Sequence, residues 1–113
     1  MTYGKALLLK VDGTFRLFII SAARKLDSSA IKRHFNAKRS RFATADELSE
    51  LTGLPPGAVP PFGEPILPFE LYVDESITNN DRIAFNAGSL TDSIIMSVAD
   101  YLRLARPQVF KFS

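Results

Sequence analysis

The sequence predicts an α+β domain organised around a mixed β-sheet, and three features carry that expectation. Short apolar, β-favouring runs recur between Gly, Asn and Asp turn residues. Helical spacing of apolar residues appears in three other segments, each opened by a capping residue. The two kinds of segment follow one another as ββαβαβββα with a short edge strand last, which is neither a repeat nor a strict βαβ alternation. With 113 residues, 46% hydrophobic and 23% charged, the chain makes one ordinary globular domain with a modest core.

Each element has a local reason. Residues 5–11 and 15–21 are apolar runs separated by Asp12-Gly13, the spacing of a β-hairpin. Residues 24–37 place Leu26, Ala30, Ile31 and Phe35 at helical intervals, with Asp27 or Ser28 as N-cap. Residues 40–43 form a brief strand. Thr44 and Glu47 then make a capping box for a helix through Leu48 and Leu51 that ends near Gly53. Residues 69–74 alternate around Leu71 and Val73 as a strand; Asn79-Asn80-Asp81 turns the chain, and residues 82–86 return as its partner. After a second bend at 86–89, residues 93–96 supply another strand. Ser97 with Asp100 opens a last helix over Val98, Tyr101, Leu102 and Leu104. Pro107 stops that helix, and residues 109–112 add the edge strand.

Residues 51–65, LTGLPPGAVPPFGEP, stand apart. They hold five of the seven prolines and three of the six glycines, so they form neither helix nor central strand. Leu54, Val59 and Phe62 make the stretch too apolar for a solvated linker. A stiff loop of this kind is either a binding-site wall or a structural Ω-loop.

Several chemistries are excluded. Without cysteine there is no disulfide, thiolate nucleophile or thiolate-held metal, and one histidine, His34, is too few for a zinc site. No G-x-S-x-G elbow supports a serine triad. His34 reads as a solvent-facing helix residue, Asp46, Glu47 and Glu50 as capping and solubility, and Asp74-Glu75 as turn acids. No metal or cofactor is expected. No run approaches the ~20 apolar residues of a membrane span, and the N-terminus lacks a signal-peptide pattern, so the cytoplasm is the expected location.

Charge is distributed unevenly. Net charge is +2, yet Arg24, Lys25, Lys32, Arg33, Lys38, Arg39 and Arg41 fall within residues 24–41, against one acid, Asp27. That segment is either a solvated helix face or a phosphate-binding surface. Lys5 opens an apolar strand, where an inward lysine needs an anionic partner. Taken alone it also reads as an ordinary strand-edge lysine.

Three stretches in order, GKALLL, LTGLPPGAVPPFG and ELYVDES with IAFNAGSLTDSIIMS and DYLRL, closely resemble the YbaK/ProX family, the editing domains associated with prolyl-tRNA synthetase. The likeness covers about Lys5 to Leu104. It implies a curved, barrel-like mixed β-sheet flanked by short helices, as a single domain over residues 1–113. Members carry a functionally central lysine in a K-x-L setting, which Lys5 matches. The next residue, often Asn, Thr or Ser in members, is Ala6 here, a departure that bears on which amino acid is recognised. Gly57 falls in the loop whose glycine lines the family's aminoacyl pocket, and Pro60, Pro61 and Gly63 continue the match. Asn86, Ala87, Gly88 and Ser89 resemble the second pocket-lining turn, although side-chain capping of a turn explains Asn86 and Ser89 equally well.

The resemblance implies deacylation of a mischarged tRNA, with tRNA for proline carrying a small wrong amino acid as the expected substrate. Lys5, Gly57 and Gly88 are the catalytic candidates, and Pro60, Pro61, Gly63, Asn86 and Ser89 the substrate-binding ones. Lys32, Arg33, Lys38 and Arg39 would meet tRNA phosphates. Tyr3, Leu54, Phe62 and Ile94 are candidates for narrowing the pocket around an alanyl, cysteinyl or seryl group. The implied partners are the tRNA acceptor end and an aminoacyl-tRNA synthetase. Members usually begin with a helical segment before the lysine strand, whereas this chain starts almost on it, which predicts a minimal form or a homodimer that covers the exposed sheet. The alternative function is a non-catalytic tRNA- or synthetase-binding module of the same fold. A generic nucleic-acid-binding barrel ranks last, because the phenylalanines fall in apolar runs rather than on an open stacking face.

Overall fold

The computed structural model describes residues 1–113. Its elements are β1 (Thr2–Val11), β2 (Thr14–Ser21), α1 (Ser28–Phe35), β3 (Ser40–Phe42), α2 (Ala45–Thr52), β4 (Leu71–Asp74), α3 (Glu75–Thr78), β5 (Arg82–Asn86), β6 (Ser93–Ser97), α4 (Val98–Ala105) and β7 (Gln108–Phe110). They form a seven-stranded mixed sheet in the order β6-β5-β1-β2-β4-β7, with β3 also paired to β1. β6 and β7 lie at opposite ends of that order, so the sheet is open and only loosely barrel-like. No helix is long and apolar enough to cross a membrane.

The β1–β2 hairpin is the centre. Asp12 and Gly13 take φ of 46° and 90°, the left-handed pair that lets a two-residue turn follow the strands' twist. Asp12 also accepts hydrogen bonds from the backbone N–H groups of Lys38 and Arg39, which clasps the turn to the segment entering β3. Along β1 and β2 successive residues point to opposite faces, and both faces are covered, which is why ALLL and LFII are continuous apolar runs. Leu8, Leu17 and Ile19 join one core with Val59, Phe69, Val73, Ile83, Phe85 and Tyr101. Leu9, Val11, Phe18 and Ile20 join a second with Ile31, Tyr72 and Phe112 beneath α1.

The helices begin where capping chemistry places them. Asp27 accepts from the N–H groups of Ser29 and Ala30, Ser97 accepts from Asp100, and both bonds of the Thr44–Glu47 box are present. Gly53 ends α2 at φ 73°. The expected β4–β5 pairing is corrected: β4 lies between β2 and β7, parallel to both, while β5 pairs with β1 and β6. The cause is α3, which lies between the expected strand and the expected Asn79-Asn80-Asp81 turn, where the sequence reading assigned no helix. Asp74 is its N-cap rather than a turn acid, is fully buried, and accepts hydrogen bonds from Ser76 N–H and Phe112 N–H. That short helix carries the chain away from β4, so β5 lands on the far side of the hairpin.

The proline-rich loop between α2 and β4 packs inward. Ala58, Val59, Pro61 and Gly63 are buried. The Tyr101 hydroxyl donates to the Pro61 carbonyl at 2.7 Å. Gly63 is there because nothing larger fits: a Cβ would stand 2.4 Å from the Phe69 carbonyl oxygen and 3.1 Å from Leu71 Cβ.

Candidate functional site

Pairing of β1 is interrupted on one side. β5 meets it at Thr2 and Tyr3, and β3 at Leu9 to Val11, while β2 runs along the other side from Gly4 to Val11. In the hairpin register, alternate residues turn their N–H and C=O groups away from β2. Leu8 does so, accepting from Ala43 N–H, and Ala6, two residues earlier, faces the gap in the same way. A cavity of about 300 Å³ opens here, lined by Tyr3, Gly4, Lys5, Ala6, Leu7, Ala22, Gly57, Val59 and Asn86.

Three of the expected site residues meet in this cavity: Lys5, Gly57 and Asn86. Lys5 lies opposite Ile20 and is half-buried. The protein's ion pairs are Arg16–Glu70, Arg41–Glu47 and Arg103–Asp100, so no carboxylate neutralises Lys5. Gly57 occupies the third position of a turn closed by Ala58 N–H donating to the Pro55 carbonyl at 3.2 Å. Its φ of 87° is the conformation that a type II turn reserves for glycine. The Gly57 N–H has no acceptor within the protein. Asn86 uses its side chain internally: its amide donates to the Gly57 carbonyl at 2.6 Å and its oxygen accepts from the Tyr3 hydroxyl.

The other candidates lie elsewhere. Gly88, with φ 82°, sits in the β5–β6 turn outside the cavity, and Ser89 caps that turn through Thr91. The turn does reach the site through Leu90, whose side chain lies 3.2 Å from where a Gly57 Cβ would be. Pro60, Pro61 and Gly63 do not line the cavity; Pro61 and Gly63 are buried in the contacts described above, and the Pro60 carbonyl accepts from Phe62 N–H. Tyr3 does line it, whereas Leu54 and Phe62 pack on the core and Ile94 is exposed on β6. His34 is exposed and stacks on Phe110, ring centroids 3.8 Å apart.

Sequence reasoning missed a second cavity, of about 180 Å³, that shares Ala6, Leu7 and Gly57 with the first. It lies towards α2, with Leu8, Phe42, Ala43, Ala45, Leu48 and Pro56 making its wall apolar. Its residues come from four separate segments, so no local pattern marks it.

The chain matches the family described as "Aminoacyl-tRNA editing domain" over residues 2–104. It belongs to that family. Over 114 residues it is 40% identical to the Multifunctional Ser/Thr-tRNA deacylase ProXp-y of Escherichia coli, covering 96% of this chain and 67% of that protein. Over 83 residues it is 32% identical to a proline–tRNA ligase of Shouchella clausii, spanning 74% of this chain and 14% of the ligase. A solved structure provisionally assigned as a trans-editing enzyme for prolyl tRNA synthetase superposes at a TM-score of 0.87 with 27% identity, over 98% of this chain and 69% of that one.

This editing domain also carries a basic depression of about 740 Å³, where Lys38 and Arg39 meet Lys10, Arg41, Asp12, Gly13 and Ser40. Lys32 and Arg33, in the last turn of α1, are not part of it. Hydrogen bonds from the Lys38 and then the Arg39 backbone hold the Asp12 carboxyl below its usual range, so the one acid here is already engaged. Arg41 is paired with Glu47 and, with the Thr44 N–H, lowers that carboxyl to about 2. Lys10 was missed in sequence because it sits in the hairpin, away from the basic segment it joins in space.

Proposed function

We propose that this protein is a trans-editing aminoacyl-tRNA deacylase that hydrolyses the ester of a tRNA carrying a small wrong amino acid. The observation that carries this reading is the shared cavity, lined both by Lys5, which has no carboxylate partner, and by Gly57, whose N–H has no acceptor within the protein. Lys5 holds the ribose-phosphate end of the acceptor strand by charge. The Gly57 N–H donates to the ester carbonyl and stabilises the oxyanion as it forms. Water adds to the carbonyl carbon, the bond to the ribose oxygen breaks, and a proton passes to that oxygen. The free amino acid and the tRNA leave. An aminoacyl ester is labile, so positioning and oxyanion stabilisation suffice without a protein nucleophile.

The apolar cavity beside Gly57 suits the amino acid's side chain, and its 180 Å³ favours a small one. Ser/Thr-tRNA is the substrate in the name of the Escherichia coli relative, and the ligase similarity points towards tRNA for proline. Both sets of esters belong in the test. The basic depression supplies phosphate contacts for the stem. A panel of tRNAs carrying alanine, serine, threonine or cysteine, incubated with the protein, should lose ester faster than buffer alone for at least one small aminoacyl group. Salt-sensitive tRNA binding with no release from any member would instead establish the non-catalytic module.

A further inference from the structure

Asn86 carries a polar side chain at the cavity wall, and its bonds show what it is for. The Gly57 carbonyl can only accept, so the Asn86 –NH₂ must be the group facing it, at 2.6 Å. That leaves the Asn86 oxygen facing the Tyr3 hydroxyl, which must donate. The sheet itself aligns this pair: Tyr3 of β1 is registered with Ala84 of β5, two residues before Asn86 and on the same side of the strand. One amide therefore links β1, β5 and the proline-rich loop.

The link acts where geometry matters. The peptide between Gly57 and Ala58 is held at its N–H by the Pro55 carbonyl and at its C=O by Asn86. That peptide anchors the C-terminal side of Gly57, which stands at φ 87°; its own free N–H lies in the preceding Pro56–Gly57 peptide, carried by the anchored turn. We infer that Asn86, oriented by Tyr3, is a positioning residue that aims the Gly57 N–H at the ester carbonyl. This rests on the deacylase reading and departs from the sequence expectation that Asn86 binds substrate. With its oxygen and one N–H already engaged, Asn86 acts through Gly57.

The test is a double-mutant cycle with single-turnover and steady-state deacylation, on whichever tRNA ester the wild-type protein cleaves. Asn86→Ala should lower kcat by roughly 10- to 100-fold, the scale of a displaced catalytic group, with KM within about twofold. Tyr3→Phe should lower kcat by less, and adding it to Asn86→Ala should cost nothing more, since Tyr3 acts only through Asn86. A rise in KM alone would make Asn86 a substrate contact, and fully additive effects would break the link; either overturns the inference. The Gly57 amide resonance gives a readout independent of turnover. It should shift in both variants, and an unmoved resonance refutes the positioning role. Should the wild type cleave none of the esters, the deacylase reading fails while this resonance still decides whether the bridge sets the loop.

Discussion

Replacing Tyr101 with phenylalanine removes one oxygen from the core and tests how the proline-rich loop is held. Tyr101 is fully buried, and its hydroxyl is the donor to the buried Pro61 carbonyl at 2.7 Å. Its ring packs edge-on to Phe62, centroids 5.5 Å apart, and this contact survives in Tyr101→Phe. The cost is therefore the hydrogen bond plus a carbonyl left buried without a donor, about 1–3 kcal/mol. For a domain of this size each kcal/mol moves Tm by about 4–8 °C. Urea unfolding followed by circular dichroism measures it, with an unchanged m-value showing that the same surface is exposed. A loss below about 0.5 kcal/mol, the range of an ordinary surface substitution, would refute the idea that this bond anchors the loop.

Gly63→Ala should destabilise by about 1–3 kcal/mol or more, because the added methyl meets the Phe69 backbone oxygen at 2.4 Å. Thermal melting checks this, and deacylation per folded molecule should stay near wild type if Gly63 serves packing. Burial raises the Asp74 pKa, but hydrogen bonds from Ser76 and Phe112 outweigh it and hold the group below 3.8. Its stabilisation is thus present above that pH and lost as pH falls through the lower folded-state value. Urea midpoints taken from roughly pH 6 to pH 2 should fall more steeply for wild type than for Asp74→Asn, and parallel curves would contradict the assignment. Alanine at Lys38 and Arg39 should weaken binding to all tRNAs alike and reduce the salt slope by about 1 per lost contact. An unchanged slope in filter-binding titrations would move the phosphate path off the basic depression.

Local chemistry made much of the fold legible. Asp12-Gly13 encoded its hairpin, Thr44 and Glu47 their capping box, and Ser97 the start of α4, because each depends on residues within a few positions. β4 and β5 were mispaired because Asp74 looks the same in sequence whether it ends a strand at a turn or caps a helix. Its decisive partner, Phe112, is 38 residues away. The site divides in the same way. Lys5 and Gly57 were marked by family resemblance, and by residues alone Lys5 read more readily as an ordinary strand-edge lysine. The use of Asn86 was not legible, since Gly57 lies 29 positions from it and Tyr3 83. Pro60, Pro61 and Gly63 belong to the same motif as Gly57, yet none lines the cavity, and Pro61 and Gly63 are buried beyond Val59.

The most direct test of the account compares wild type with Lys5→Ala in three readouts: ester loss from a cleaved aminoacyl-tRNA, tRNA affinity and Tm. Lys5 has no counter-ion within the protein, so its removal should leave Tm within a few degrees while abolishing deacylation. Wild-type ester loss that persists in Lys5→Ala would contradict the central claim, and collapse of the fold would make Lys5 a structural residue.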